Sequence, residues 1–220
     1  MSAETIVDIC MLLCATVGFS YGVVTFLAKK TPLYAKMITG AVACTMLGRL
    51  SAVVRSFTGF GVERDFRLSL LSYVGVFLFL LTANAGIMDG LADDGSKGLA
   101  KYRLMALGAP ACIALIDVAT LLSGDGVTGK VSFLVVSAFA ALASYFNLKH
   151  YLMPDAEFGV IDSVRRYNLC AVVYAILLMA ELCSLAYGAG PATVVFGLLL
   201  AADTLFILPM LKRGITQWQI

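Results

Sequence analysis

Charge is scarce in this sequence. Asp, Glu, Lys and Arg make up 14% of its 220 residues and hydrophobic side chains 60%, against roughly 25% charged in an average soluble chain. A water-soluble domain of this length would need about twice that charge to coat its surface, so the excess apolar surface has to face lipid. Histidine is scarcer still. His150 is the only one, which excludes a bis-histidine haem, a histidine-centred triad and an HExxH zinc helix. The six cysteines (Cys10, Cys14, Cys44, Cys112, Cys170 and Cys183) fall inside apolar runs with no CxxC pair. Thiols so placed pack as small apolar groups, and neither a disulfide nor a four-ligand zinc site is expected. There is no GxSxG either, so hydrolase chemistry would have to rest on carboxylates alone. No cofactor and no nucleic-acid partner is expected.

What the chain does have is long apolar runs. A span needs ~20 largely apolar residues at 1.5 Å rise each, and seven can be drawn, near 6–28, 33–54, 68–88, 104–122, 131–152, 168–188 and 191–211. The stretches between them, near 55–67, 89–103 and 153–167, are too short for a soluble domain. The expectation is one all-α integral membrane domain, residues 1–220, in which anything done happens in the bundle, at its faces or through a partner. With the amino terminus outside, the cytoplasmic segments hold Lys29, Lys30, Lys36, Lys97, Lys101, Arg103, Lys149, Arg165, Arg166, Lys212 and Arg213, and the outer segments Arg55, Arg64, Arg67 and Lys130. Eleven against four is a positive-inside bias over short loops, which predicts an outside amino terminus, a cytoplasmic carboxyl terminus and residence in the cell's plasma membrane. The first run lacks a basic leader and carries Glu4 and Asp8 instead, so it reads as a retained helix rather than a cleaved signal. Prolines punctuate the pattern: Pro32 and Pro154 follow the first and fifth helices, Pro191 opens the seventh, and Pro110 and Pro209 lie within spans, where bilayer helices tolerate them. Gly18 and Gly22 make a GxxxG step on helix one, a close-packing pattern.

Val76–Gly86 in helix three aligns without gaps on Val195–Leu205 in helix seven. Val76/Val195, Phe77/Phe196, Leu80/Leu199, Leu81/Leu200 and Ala83/Ala202 are identical, and Asn84 falls opposite Asp203. Helices one and five share Ser20-Tyr21 and Ser144-Tyr145. This layout would be two parallel repeats, 1–95 and 129–214, joined by a linker helix at 104–122. In helix count, length and 3+1+3 plan the chain resembles the small sugar-exporter (SWEET) and PQ-loop families. The resemblance implies a central substrate site lined by Asn84 and Asp203, where the exporters carry paired asparagines. The sequence departs from that pattern in three places: helix one has no Pro-Gln motif, helix seven offers an acid, and the linker helix carries Asp117. Microbial rhodopsins share the helix count and orientation, but a retinal Schiff base needs a lysine in mid-helix seven. Asp203 stands near that level and no lysine does.

Ionisable residues within a span are costly unless paired, hydrated or snorkelling. Arg49 on helix two, Asp117 on helix four and Glu181 on helix six each lie ~9–10 Å below the outer boundary, and Asp203 on helix seven ~18 Å below it. Tyr73 of helix three is at a similar level to the first three. If these groups converge, one arginine faces three acids, and a proton or bound cation must offset the excess. The competing reading has Arg49 snorkelling outward and the acids meeting small vestibules or hydrogen-bonding a neighbouring helix. For Asn84 and Asn147, interhelical hydrogen bonds are the ordinary explanation. Lys101, Arg103, Arg165 and Arg166 border the cytoplasmic face, where lipid headgroups would meet them.

Two motifs fail on inspection. Gly124–Lys130 reads GDGVTGK, but Val131 stands where a phosphate loop needs Ser or Thr, and no strand precedes it. Asp89, Asp93 and Asp94 lack the alternate spacing of an EF-hand and read as a solvated turn. The leading functional expectation is a small-solute transporter or permease, proton- or cation-coupled, with a small polar or cationic ligand at Asp203, Asn84, Glu181, Arg49, Asp117 and Tyr73. The alternatives are a seven-helix sensor signalling through a cytoplasmic partner, an accessory subunit of a membrane complex (a homo-oligomer included), and a carboxylate-based intramembrane enzyme.

Overall fold

Backbone N–H and C=O groups in lipid have no water to bond, so a chain of this composition has to satisfy them within each segment. In the computed structural model it does so with helices; no strand occurs among the described residues, which are 3–58, 68–85, 87–124, 126–154, 160–188 and 190–218. Arg64 and Arg67 of the charge count lie outside them.

The helices are α1 (Ala3–Gly22, continued by a π-helical turn Val23–Leu27), α2 (Leu33–Thr58), α3 (Leu68–Ala85), α4 (Ile87–Ala92), α5 (Ala100–Ala106, entered through a 3-10 turn Lys97–Leu99), α6 (Gly108–Leu121), α7 (Val127–Leu152), α8 (Val160–Ala186) and α9 (Pro191–Trp218). They make seven spans long and apolar enough to cross a membrane: Glu4–Leu27, Leu33–Thr58, Ser69–Gly90, Lys97–Leu121, Val127–Leu152, Val164–Ala186 and Pro191–Thr216. The protein is a multi-pass membrane protein by this criterion. The fourth span is broken between α5 and α6. Pro110 has no N–H to offer the carbonyl of Ala106, the last residue of α5. Between α8 and α9 the chain turns at Gly188, whose φ of +90° is open to glycine and strained for other residues.

Neighbour packing closes six of the spans into a ring. In order around it, α1 packs on α2, α2 on α3, α3 on α7, α7 on α8, α8 on α9, and α9 back on α1. The α5–α6 span lies outside, with α6 against α7 and α8. Its exposure fits that place: only 22% of it is buried, against 39–44% for five of the ring spans. The lipid-facing sides carry Leu13, Val17, Val24, Leu115, Leu122 and Val195, all exposed. The interior carries Met11, Ile38, Phe77, Leu80, Leu178, Met179 and Leu208, all fully buried.

Small residues set how closely the ring packs. A methyl group on Gly22 would sit 2.6 Å from Thr39 Cγ2 and 2.9 Å from Leu208 Cδ1, and one on Gly18 3.4 Å from the Thr204 carbonyl oxygen. The GxxxG step therefore faces α2 and α9 together, which lets three backbones approach where larger side chains would hold them apart.

Candidate functional site

Four elements bring polar side chains together near the end of the bundle where α1 begins. Arg49 of α2 is 3% exposed and Glu181 of α8 is 2% exposed. The guanidinium forks onto the carboxylate: Nη1 donates to Glu181 Oε1 at 2.9 Å and Nη2 donates to Oε2. Nη1 also donates to Asp8 Oδ1 of α1 at 2.9 Å. Tyr73 of α3 lies beneath the cation, with its ring centroid 5.5 Å from Cζ, a cation–π distance. The backbone of α9 presses in from the side: a Cβ on Gly197 would meet Val7 Cγ1 at 2.3 Å and Glu181 Oε1 at 3.3 Å. Arginine suits this position because its planar fork matches a carboxylate and it stays charged when buried.

The structure thus joins Arg49, Glu181 and Tyr73, and adds Asp8, which the sequence marked only as an acid standing in place of a basic leader. Arg49 does not snorkel to an interface. The local balance is one arginine to two acids, not one to three. Asp117 lies elsewhere, because the α5–α6 span is outside the ring. Its Oδ2 accepts from Ser137 Oγ of α7 at 2.6 Å, while Oδ1 is buried without a partner. Asp203 is half-buried on α9, within electrostatic reach of Cys170 and Tyr174 of α8, with Oδ2 buried and unpartnered.

A second, larger network lies at the opposite end, between α3–α4, α5 and α7. Asn147 Nδ2 donates to the Ala143 carbonyl at 2.7 Å, and its Oδ1 accepts from Asn84 Nδ2 at 2.9 Å. Asn84 Oδ1 faces His150 Nδ1 at 3.1 Å, and His150 Nε2 faces Asp89 Oδ1 at 3.0 Å. Lys149 reaches Asp89 at 2.6 Å and Asp93 at 2.8 Å. Arg103 then forks onto Asp93, with Nε to Oδ2 at 2.7 Å. Asn84, Asn147, Lys149 and His150 are all buried, none more than 4% exposed. Beyond the spans, the Arg103 hydrogen bond and the nearby Lys149 hold the Asp93 carboxyl well below the usual carboxylate range. The backbone N–H of Ser96 holds Asp94 low as well.

This network corrects two expectations. Asp89 and Asp93 are ion-paired, not a merely solvated turn, and Arg103 pairs with Asp93 and the Ser96 carbonyl instead of facing headgroups. It also holds residues that the sequence left aside, Lys149 and His150. A signal was present: basic residues close the fifth span while two acids one helical turn apart follow the third. Asn84 is hydrogen-bonded within this network, to Asn147 and toward His150. Lys130 donates to the Leu121 carbonyl at 2.8 Å, an ordinary loop contact.

Between the two networks is a small cavity. Ile38 and Thr45 of α2, Leu80 of α3, Tyr174 of α8, and Thr204 and Ile207 of α9 are among its walls. Its volume is about 10 Å³, room for roughly one water molecule and far below the ~300–1,000 Å³ of pockets for drug-sized ligands. Its only polar wall groups are hydroxyls. Thr45 Oγ1 and Tyr174 Oη share a hydrogen bond at 2.8 Å, and Thr204 Oγ1 donates to the Leu200 carbonyl at 2.8 Å. Tyr174 is the middle of three buried polar residues spaced by seven on one face of α8, Tyr167, Tyr174 and Glu181. Glu181 belongs to the first network, and Tyr167 lies beside Asn84 of the second. Next to Tyr167 in the sequence, Asn168 is 0% exposed with neither amide atom partnered. No group of three or more His, Cys, Asp or Glu placed to hold a metal occurs among the described residues.

Compared with protein-family models, with curated proteins and with solved structures, the chain matches none.

Proposed function

We propose that this protein is a plasma-membrane carrier for a small polar solute, seen closed at both faces. The observation that supports this best is the stacking of three layers along one six-helix ring: a buried ion-pair network, a small and mostly apolar cavity, and a second ion-pair network. A carrier must seal one face of a central site while the other opens. Charged contacts between helices suit that task, because they are strong when dry and give way to water when helices part. The cavity is uncharged and mostly apolar, and the Thr45, Tyr174 and Thr204 hydroxyls beside it are bonded to the protein, so a polar solute would be met by them only after the helices part.

The ring order supports the 3+1+3 plan as part of this proposal. In the first half α1 packs on α2 and α2 on α3; in the second α7 packs on α8 and α8 on α9. The halves meet twice, through α3–α7 and α9–α1, and the α5–α6 span is left outside as the connector. The first network ties Asp8, Arg49 and Tyr73 of one half to Glu181 of the other, and the second ties Asn84 and Asp89 to Asn147, Lys149 and His150. With the amino terminus outside, as the lysine and arginine bias argues, the Arg49 network is the outer closure and the His150 network the cytoplasmic one.

The test places a cysteine at the cavity wall, Thr204→Cys, in a chain whose six native cysteines are replaced. Membrane-impermeant thiol reagents are then applied to each face of sealed vesicles. Arg49→Ala should raise labelling from the outer face, and Asp89→Asn should raise it from the cytoplasmic face. Labelling from the outer face alone, whichever network is broken, would reject a carrier and favour a sensor.

A further inference from the structure

We propose that the coupling ion of this carrier is a proton and that His150 is the group that holds it. The coupling rests on the carrier reading; the protonation of His150 rests on hydrogen-bond geometry by itself. The chain of donors starts at a backbone carbonyl, which can only accept. Asn147 Nδ2 donates to the Ala143 carbonyl at 2.7 Å, which turns Asn147 Oδ1 toward Asn84. Asn84 must answer with its NH₂, which also points at the Leu80 carbonyl 3.4 Å away. The orientation of both amides is therefore fixed by their partners. Asn84 Oδ1 is left facing His150 Nδ1 at 3.1 Å, so Nδ1 carries a hydrogen.

The other ring nitrogen faces an acceptor as well. Nε2 is 3.0 Å from Asp89 Oδ1, the same oxygen to which Lys149 donates at 2.6 Å. A neutral imidazole has one N–H and one lone pair, whereas this ring needs two N–H groups, which only the imidazolium supplies. His150 is faced by Asp89 from the α4 end and has Lys149 beside it on its own helix, with Asp93 linking Lys149 to Arg103 of α5. From α8, Tyr167 lies beside Asn84, and Arg165 donates to the Met153 carbonyl at 2.9 Å, one residue past the end of α7. Asp93 and Asp94 are held low by Arg103 and by the Ser96 N–H respectively, so they stay ionised across the pH range in which a histidine changes charge.

The consequence follows from which hydrogen can leave. Nδ1–H is held by Asn84, so the proton departs from Nε2 to water at the Asp89 side, where that carboxylate is 27% exposed. Nε2 then presents a lone pair to Asp89 Oδ1, and attraction becomes repulsion. The end of α3–α4 loses one of its ties to α7, and the cytoplasmic closure is weakened. Proton loss on that face is thereby linked to opening on that face.

Two measurements test this separately. His150 is the only histidine, so histidine-selective nitrogen labelling of the tag-free protein gives one imidazole to follow by NMR. Both ring nitrogens should be protonated in mildly acidic buffer, with Nε2 losing its hydrogen as pH rises. A ring neutral throughout, or one that first loses the Nδ1 hydrogen, would overturn the protonation inference. In the Thr204→Cys background, cytoplasmic-side labelling should rise with pH by roughly tenfold more than in the same chain carrying His150→Gln, about what loss of one charge-assisted hydrogen bond gives. Taking that ratio cancels the reagent's own dependence on thiolate. A ratio that stays flat while the imidazole titrates would overturn the coupling. Absence of labelling from the cytoplasmic face under every condition would overturn the carrier reading and leave the NMR result to decide the proton.

Discussion

One end of the bundle depends on a single arginine, and the other spreads charge over many side chains. At the Arg49 end one guanidinium serves both Asp8 and Glu181, and it ties three helices in a nearly dry setting. At the His150 end Asp89 has two partners, the Lys149 ammonium and the His150 ring, and Asp93 has Lys149 and Arg103. The first arrangement has no substitute for its centre, and the second has overlapping ones. A closure of the first kind holds fully or fails. One of the second kind can lose a link, such as the His150 proton, and loosen by degrees, which suits it to respond to conditions.

The comparison is sharpest at its centre. Arg49→Ala strands Glu181, 2% exposed, together with Asp8, and removing one partner of a buried ion pair costs about 3–5 kcal/mol. Unfolding in mixed micelles with rising SDS should show a loss of that size. Arg49→Lys keeps the charge but not the fork, and should lose less. If Arg49→Ala unfolds like the native protein, the Arg49 end does not depend on its arginine and the contrast collapses.

Next is Gly197→Ala. Alanine gains roughly 1 kcal/mol over glycine in a helix interior, yet its methyl would lie 2.3 Å from Val7 Cγ1. Val7 is short and β-branched, so it has little room to swing aside, and overpacking of this kind costs about 1–3 kcal/mol. A net loss in the same unfolding assay is expected; a net gain would show that α1 and α9 are free to separate at this end. Lys149→Ala should cost less than Arg49→Ala, about 1.5 kcal/mol, because His150 stays on Asp89 and Arg103 on Asp93. Equal losses for the two variants would mean that the His150 end has a keystone too.

The spans were legible because composition alone decides them: apolar runs long enough to cross a bilayer leave few other folds open. Arg49, Glu181 and Tyr73 were legible because their cost in such runs demands an explanation. Their partner Asp8 was not, since an acid near the outer end of the first run reads equally as a group at the membrane surface. Position in the first run alone does not say which helix it faces; the packing of α1 on α2 turns it to Arg49. The placement of Asp117 could not be read from depth. Depth gives the level of a residue, while the ring order, set by packing, decides which helices face one another. The His150 network was hidden for the related reason that acids after one span and bases at the end of another pair only if those spans are neighbours, as α3 and α7 are.

Asp203 belongs to neither network, and its substitution is expected to have the smallest effect. Asp203→Asn keeps the shape of the side chain and replaces a carboxyl whose Oδ2 is buried without a hydrogen-bond partner. There is no ion pair to break, in contrast to Arg49, and no link to weaken, in contrast to Lys149. An amide still offers one acceptor and adds two donors, one of which can meet a carbonyl of the adjoining helix or water at the half-exposed side. Stability should therefore stay within about 0.5 kcal/mol of the native protein, the range of substitutions that touch no special feature, or rise slightly. The coupling assay should not move either, because the pH-dependent tie is at His150. A loss of the Thr204→Cys labelling response in Asp203→Asn, with His150 intact, would transfer the proton from the His150 end to the middle of α9.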